Sequence, residues 1–300
     1  MFDRNRLGVI YERGARDNQE DSYVFARLRS SDAPDLPDCI IVADGMGGHE
    51  NGELAAHLTV KSFLSSLSDN LYDPAGKALF NALSHANDQL YLAKREHGLD
   101  PDMGCTLVGA HIRNSRLRWI SVGDSPLFLF RKGKLSRLNE DHSEAGRLAT
   151  LVRKGMISQQ DADARGGKNI LRSAVAGGDI DLVDNRFSED GIVLEDDDLV
   201  IVATDGIDTL AYEDVASIIA NARGDVDDIT QHLETAIKDI GHPRQDNYTI
   251  VVYRHTGRDN SLESFLLSPQ ETSVSDMAQG EWDAPETGFK HRLSDFLKRD

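Results

Sequence analysis

The sequence predicts an α+β fold, and three observations carry the prediction. Short β-branched or aromatic runs come in blocks, helical periodicities come in pairs, and the βαβαβ alternation of a Rossmann-like sheet is absent. The first block holds RLGVIYE, SYVFARL and CIIVA, separated by Gly, Asn, Asp and Pro, and reads as strands. Residues from about 52 to 67 and from about 75 to 95 then place Leu54, Leu58, Phe63 and Leu64, followed by Leu79, Leu83, Leu90 and Tyr91, at helical spacings. Asp73 with Pro74 supplies a cap and first turn for the second helix.

CTLVGAHI, RLRWISV, PLFLFR and KLSRL follow, with Asn114-Ser115 and Lys132-Gly133 as tight turns, which predicts a meander of antiparallel strands. Strands resume at about 182–188 and 198–203. Amphipathic helices follow at about 213–221 and 226–240, and YTIVVYR closes the pattern. Two antiparallel sheets packed face to face and flanked by helical pairs would bury all of these apolar faces.

One domain is expected over residues 1–255. From about 256 to 300 Ser, Thr, Asp, Glu and Gln dominate, which predicts a polar, flexible tail. Within the tail, Phe289, Leu293, Phe296 and Leu297 form a narrow apolar stripe at helical spacing, a candidate short docking helix.

The formal net charge of −18 argues against non-specific binding to nucleic acid or to an anionic membrane, since both need a positive field. No apolar run approaches the roughly 18 residues of a membrane span, and MFDRNRLGVIYERG lacks a signal core, so a cytoplasmic location is expected. Cys39 and Cys105 sit in apolar runs and are expected to be buried, reduced thiols.

Chemistry gathers in acids at the ends of apolar runs: Asp21, Asp44, Asp124, Asp205 and Asp246. An Asp-Gly at a strand end is usually a turn. So many acids abutting buried strands would repel one another without cations, and this points to a metal site. In ADGMGGH, Gly45, Gly47 and Gly48 permit tight turning, so the Asp44 carboxylate and the Gly45 carbonyl can face one ion. Carboxylate, carbonyl and water suit Mg2+ or Mn2+. The histidines offer no zinc spacing, and His49 is a candidate for acid-base chemistry.

The ordered set Arg16-Asp17-Asn18-Gln19-Glu20-Asp21, ADGMGGHENGELAA, GCTLVGA, VGDS, NEDHS, ATDGI and QDNYTIVV, running from about residue 7 to 254, resembles the bacterial branch of the metal-dependent type 2C (PPM) protein Ser/Thr phosphatases. The resemblance implies a four-layer αββα sandwich and hydrolysis of phosphoserine or phosphothreonine by direct attack of water activated between two divalent ions, Mn2+ or Mg2+, with an optional third. By position, Asp44 bridges the pair, Glu20 and the Gly45 carbonyl complete the outer ion, and Asp205 and Asp246 hold the inner one. Asp21 orients water, Asp124 with Asp205 serves the third site, and Arg16 binds phosphate.

The partners so implied are a phosphoprotein substrate and a cognate Ser/Thr kinase whose work is reversed. Two departures stand out: Met46 occupies the position where eukaryotic members carry a general-acid histidine, and Pro126 follows Gly-Asp-Ser where Arg is common.

Residues 144–178 resemble the flap of bacterial members. From Glu144 to Arg172 the flap carries six basic residues against three acidic, an excess that makes Arg165 and Lys168 candidate substrate contacts. A phosphoprotein-binding module with lost metal ligands and a small phosphate-ester hydrolase are the rival readings. The intact acids argue against the first, and no added base-stacking motif supports the second.

Overall fold

The computed structural model describes residues 6–27, 37–47, 50–167, 170–187, 191–222, 225–257 and 265–269. Lys168, His49, Gly48 and the stripe at 289–297 lie outside the described residues.

The strands are β1 (Leu7–Glu12), β2 (Asp21–Arg27), β3 (Asp38–Met46), β4 (Gly104–Cys105), β5 (Leu107–Arg113), β6 (Arg116–Val122), β7 (Leu127–Arg131), β8 (Lys134–Arg137), β9 (Asp184–Asn185), β10 (Ile192–Val193), β11 (Leu199–Ala203), β12 (Tyr248–Arg254) and β13 (Phe265–Leu267). The α-helices are α1 (Glu50–Asp69), α2 (Ala75–His97), α3 (Glu144–Arg153), α4 (Gln159–Arg165), α5 (Tyr212–Asn221) and α6 (Val226–Ile240).

One sheet runs β1-β12-β11-β7-β8. The other runs β10-β6-β5-β3-β2-β13, with β4 paired to β3 and β9 to β6. Every strand pair among the described residues is antiparallel.

Side-chain alternation builds the layers. Along β2, Val24 and Ala26 pack with residues of α1 and α2, whereas Tyr23 and Phe25 enter the seam between the sheets. Along β12, Val251 and Tyr253 enter the same seam, and Ile250 and Val252 pack with α5 and α6. The result is the expected αββα order. Fully buried side chains such as Phe63 and Leu64 on α1 each contribute about 1.5–3 kcal/mol of hydrophobic stabilisation.

Three expectations are corrected. The meander breaks after β6, because β7 joins the opposite sheet; only the β5–β6 and β7–β8 hairpins keep its sense. Their turns fall where expected, with positive φ at Asn114, Ser115, Lys132 and Gly133, as hairpin turns that match strand twist require. Pro74 rather than Asp73 caps α2, and the Asp73 carboxylate instead pairs with Lys77 at 2.9 Å. Past residue 255, β13 adds an edge strand to β2, with Leu267 opposite Phe25, so part of the polar stretch belongs to the sandwich.

Both cysteines are buried and free, as expected. No helix among the described residues is long and apolar enough to cross a membrane.

Candidate metal and phosphate site

The acids converge because the strands deliver them to one end of the seam. Asp21 opens β2 and faces Asp44 near the end of β3 in the antiparallel register. On the other sheet, Ala203 pairs with Ile250, so the end of β11 and the start of β12 lie together. That pairing brings Asp205, in the 3-10 turn Asp205–Thr209, towards Asp246 in the loop before β12. Asp124 sits in the connection where the chain changes sheets. A cleft of about 880 Å³ is lined by Glu20, Asp44, Gly45, Asp124, Asp205 and Asp246, with Arg16 on its wall.

Asp21 ties the two sheets. Its Oδ2 accepts hydrogen bonds from Thr204 at 2.9 Å and Thr249 at 2.7 Å, while its buried Oδ1 accepts none among the described residues. Asn247 stitches the Arg16 loop to β12: its Oδ1 accepts from Glu20 N–H at 2.9 Å, and its Nδ2 donates to the carbonyls of Arg13 and Asn18. Arg16 Nη2 lies 2.6 Å from Asp246 Oδ2.

Gly45 and Gly52 allow the backbones to close around Glu20. A Cβ on Gly52 would lie 2.3 Å from Glu20 Oε2, and one on Gly45 would lie 2.1 Å from the Gly52 carbonyl oxygen.

The electrostatics are those of a site suited to cations. Burial, then the charges of Asp21, Asp205, Asp124 and Asp246, push the Asp44 carboxyl well above the usual range. Burial raises Asp21 to about 7 against the two threonine hydrogen bonds, with Asp205 and Asp246 adding to the rise. Burial and Asp246 raise Asp205 to about 6, and burial with Asp205 and Asp141 raises Asp124 to about 7.

Among the described residues no three acidic, imidazole or thiol groups are drawn together as a ready-made cage. The donor set nevertheless fits Mg2+ or Mn2+. It is all oxygen, it leaves positions for water, and it includes the orphaned Asp21 oxygen and an Asp44 carboxyl that burial and neighbouring like charges push well above its ordinary range.

Of the flap's basic residues among those described, Arg172 lines the cleft. Arg165 is exposed in the last turn of α4 and does not line it. Sequence reasoning assigned no role to Thr204, Thr249, Asn247 or Arg172. The available signals were Thr204 and Asn247 beside an acid in ATDG and QDNYT and, for Arg172, the basic excess of the flap.

Comparison with known proteins identifies the family. The chain belongs to the protein phosphatase 2C family, which it matches over residues 17–241. It is 28% identical over 233 residues to the serine/threonine phosphatase stp of Listeria welshimeri, covering 74% of this chain and 88% of that protein. The Streptococcus agalactiae serine/threonine phosphatase superposes with a TM-score of 0.68 at 25% identity, covering 83% of this chain and 99% of that one. The catalytic domain of the serine/threonine phosphatase PstP, solved with two manganese ions, gives 0.64 at 26% identity, covering 83% and 97%.

Proposed function

We propose that this chain hydrolyses phosphoserine and phosphothreonine in proteins with two bound Mn2+ or Mg2+ ions, reversing the action of a Ser/Thr kinase in the cytoplasm. The observation that carries the reading is the convergence of Asp44, Asp205, Asp246, Glu20 and the Gly45 carbonyl on one cleft with Arg16 at its wall. The relatives named above support the substrate class, and the buried free thiols are in keeping with a reducing compartment.

Asp44 would be shared by both ions, Glu20 and the Gly45 carbonyl would serve one, and Asp205 and Asp246 the other, with Asp124 and Asp205 available to a third. When bound, the ions supply Lewis acidity and lower the pKa of water so that a nucleophile exists near neutral pH.

The chain's own groups do the rest. Arg16 grips phosphate oxygens through paired hydrogen bonds. Asp21, anchored behind the cleft by Thr204 and Thr249, keeps a buried Oδ1 without a hydrogen-bond partner among the described residues, and with it would orient water for in-line attack on phosphorus. The new P–O bond forms to water as the bond to the Ser or Thr oxygen breaks, and no phosphoenzyme is required. Met46, on the cleft wall, carries no proton for the leaving oxygen, so that proton is supplied by another group or by water.

Turnover of a phosphothreonine peptide and an aryl phosphate, with Mn2+, with EDTA and in Asp44→Asn, tests the reading. Activity is expected only in the wild-type chain with metal. Metal-independent turnover, or full activity in Asp44→Asn, would overturn it.

A further inference from the structure

The ladder between β3 and its neighbours breaks at one position. Val42 pairs with Val108 and Gly45 with Cys105, so the same register puts Asp44 opposite Thr106. Thr106 N–H donates to the Asp44 carbonyl at 2.8 Å, as a regular antiparallel pair requires. The return bond is different: Asp44 N–H donates to the Thr106 side-chain oxygen at 3.0 Å instead of to its carbonyl. The hydroxyl has captured the peptide that carries the Asp44 carboxylate.

This hydroxyl is one link of a buried chain. Thr106 Oγ1 lies 2.7 Å from Ser125 Oγ, the side chain next to Asp124. Asn139 then holds the Ser125 segment from the far side. Its Nδ2 donates to the Ser125 carbonyl at 2.9 Å and to Ser121 Oγ at 3.3 Å, and its Oδ1 accepts from Leu127 N–H at 2.8 Å. Thr106, Ser125 and Asn139 are 2%, 1% and 7% exposed, so water cannot stand in for a lost partner. Asn139 belongs to the NEDHS motif, which contributes no acid to the proposed ligand set.

We infer that Thr106 is a positioning residue for Asp44, and that Asn139, through Ser125, anchors the hydrogen-bonded chain that fixes the Asp44 and Asp124 segments relative to each other. The inference rests on the metal reading above. Partners behind metal-binding groups hold those groups in place, and losing one typically costs about 10- to 100-fold in metal affinity.

The test uses the full chain. Thr106→Val keeps the shape and removes the hydroxyl, Thr106→Ser keeps the hydroxyl, and Asn139→Ala cuts the chain at its root. Mn2+ affinity is read by titration calorimetry, and hydrogen exchange at residues 40–47 is read in metal-free protein. Thr106→Val and Asn139→Ala are expected to bind Mn2+ about 10- to 100-fold more weakly and to exchange the Asp44 amide faster, with Thr106→Ser close to wild type in both.

Wild-type affinity and exchange in Thr106→Val would overturn the inference, as would an equal loss in Thr106→Ser, which would assign the effect to packing. If Thr106→Val does not fold, Asn139→Ala decides, and wild-type affinity there overturns the inference. A wild-type chain that binds no Mn2+ would defeat the metal reading itself, and the exchange rates would then decide this inference alone.

Discussion

Asp21 and Asp44 face each other at one end of the β2–β3 ladder, and the other end of the same ladder is closed by Arg27 opposite Asp38. The contrast is chemical. Arg27 and Asp38 neutralise each other with Nη2 and Oδ2 2.6 Å apart and both side chains fully buried. Asp21 and Asp44 are like charges held opposite, an arrangement that destabilises a strand pair unless a cation joins it.

Asp44→Asn is therefore expected to raise the melting temperature of metal-free protein above neutral pH while removing the gain that Mn2+ brings. Turnover should fall by more than the roughly 10- to 100-fold that changes behind a metal ligand cause. Asp124→Asn should impair turnover less and keep most of the Mn2+ stabilisation, because its proposed place is the optional third site. Thermal unfolding with and without Mn2+ separates the two. Equal loss of Mn2+ stabilisation in both variants would remove the distinction.

The carboxyl shifts set a pH dependence. Asp21 and Asp124 titrate at about 7 in the folded protein but at about 3.9 when unfolded. The folded state thus holds protons that the unfolded chain has released, and stability falls as pH rises from about 4 through about 7. Burial lowers His57 and His111 to about 4, and their contribution runs the other way, rising from about pH 4 to the unfolded value near 6.5.

Above about pH 6.5 only the carboxyl effect remains of these two. Metal-free protein should then lose melting temperature between about pH 6.5 and 8, and Mn2+ should restore it by more at the higher pH, since binding releases protons. A melting temperature of metal-free protein that rises over this window would contradict the assignment.

The flap offers a comparison of two arginines. Arg172 is held at its backbone by a hydrogen bond to the His142 carbonyl at 2.8 Å and lines the cleft, whereas Arg165 projects from the exposed end of α4. Arg172→Glu should lower kcat/KM for a phosphothreonine peptide by about 10-fold or more, in line with hydrogen bonds to charged groups, and Arg165→Glu by less. A small aryl phosphate should be spared in both. Equal losses on both substrates would reject contact with the peptide.

The layer order and the acids were legible because periodicity marks buried faces and an acid at the end of an apolar run is conspicuous. The crossing between β6 and β7 was not, since Leu127 and Leu129 fill the seam while Phe128 is buried beneath the opposite layer. A strand buried on both faces shows no alternation that would assign it to a sheet. Thr204 and Thr249 were hidden for a related reason: threonine is an ordinary strand residue, and only their convergence on Asp21 gives them a role. Asn247 read as a turn residue, yet its amide joins segments more than 200 positions apart, with Asn18 and Arg13 separated from it by 229 and 234.

Arg16 poses the last question, because its partner in this structure is Asp246, itself expected to hold an ion. The side chains are 55% and 37% exposed, so solvent screens the pair and it contributes little to stability. The pair is therefore easily exchanged: on the proposed reading Asp246 would hold a divalent ion and Arg16 would be left to bind the phosphate. Arg16→Ala should then raise KM for an aryl phosphate by about 10- to 100-fold, the range for hydrogen bonds to charged groups, with a smaller change in kcat. Mn2+ affinity should stay level or rise, since Asp246 no longer has to leave a partner. Arg16→Lys should recover only part of KM, because an ammonium cannot form the paired hydrogen bonds. Unchanged KM with weakened Mn2+ binding would instead make Arg16 a support for Asp246 and leave the phosphate without its cationic side chain.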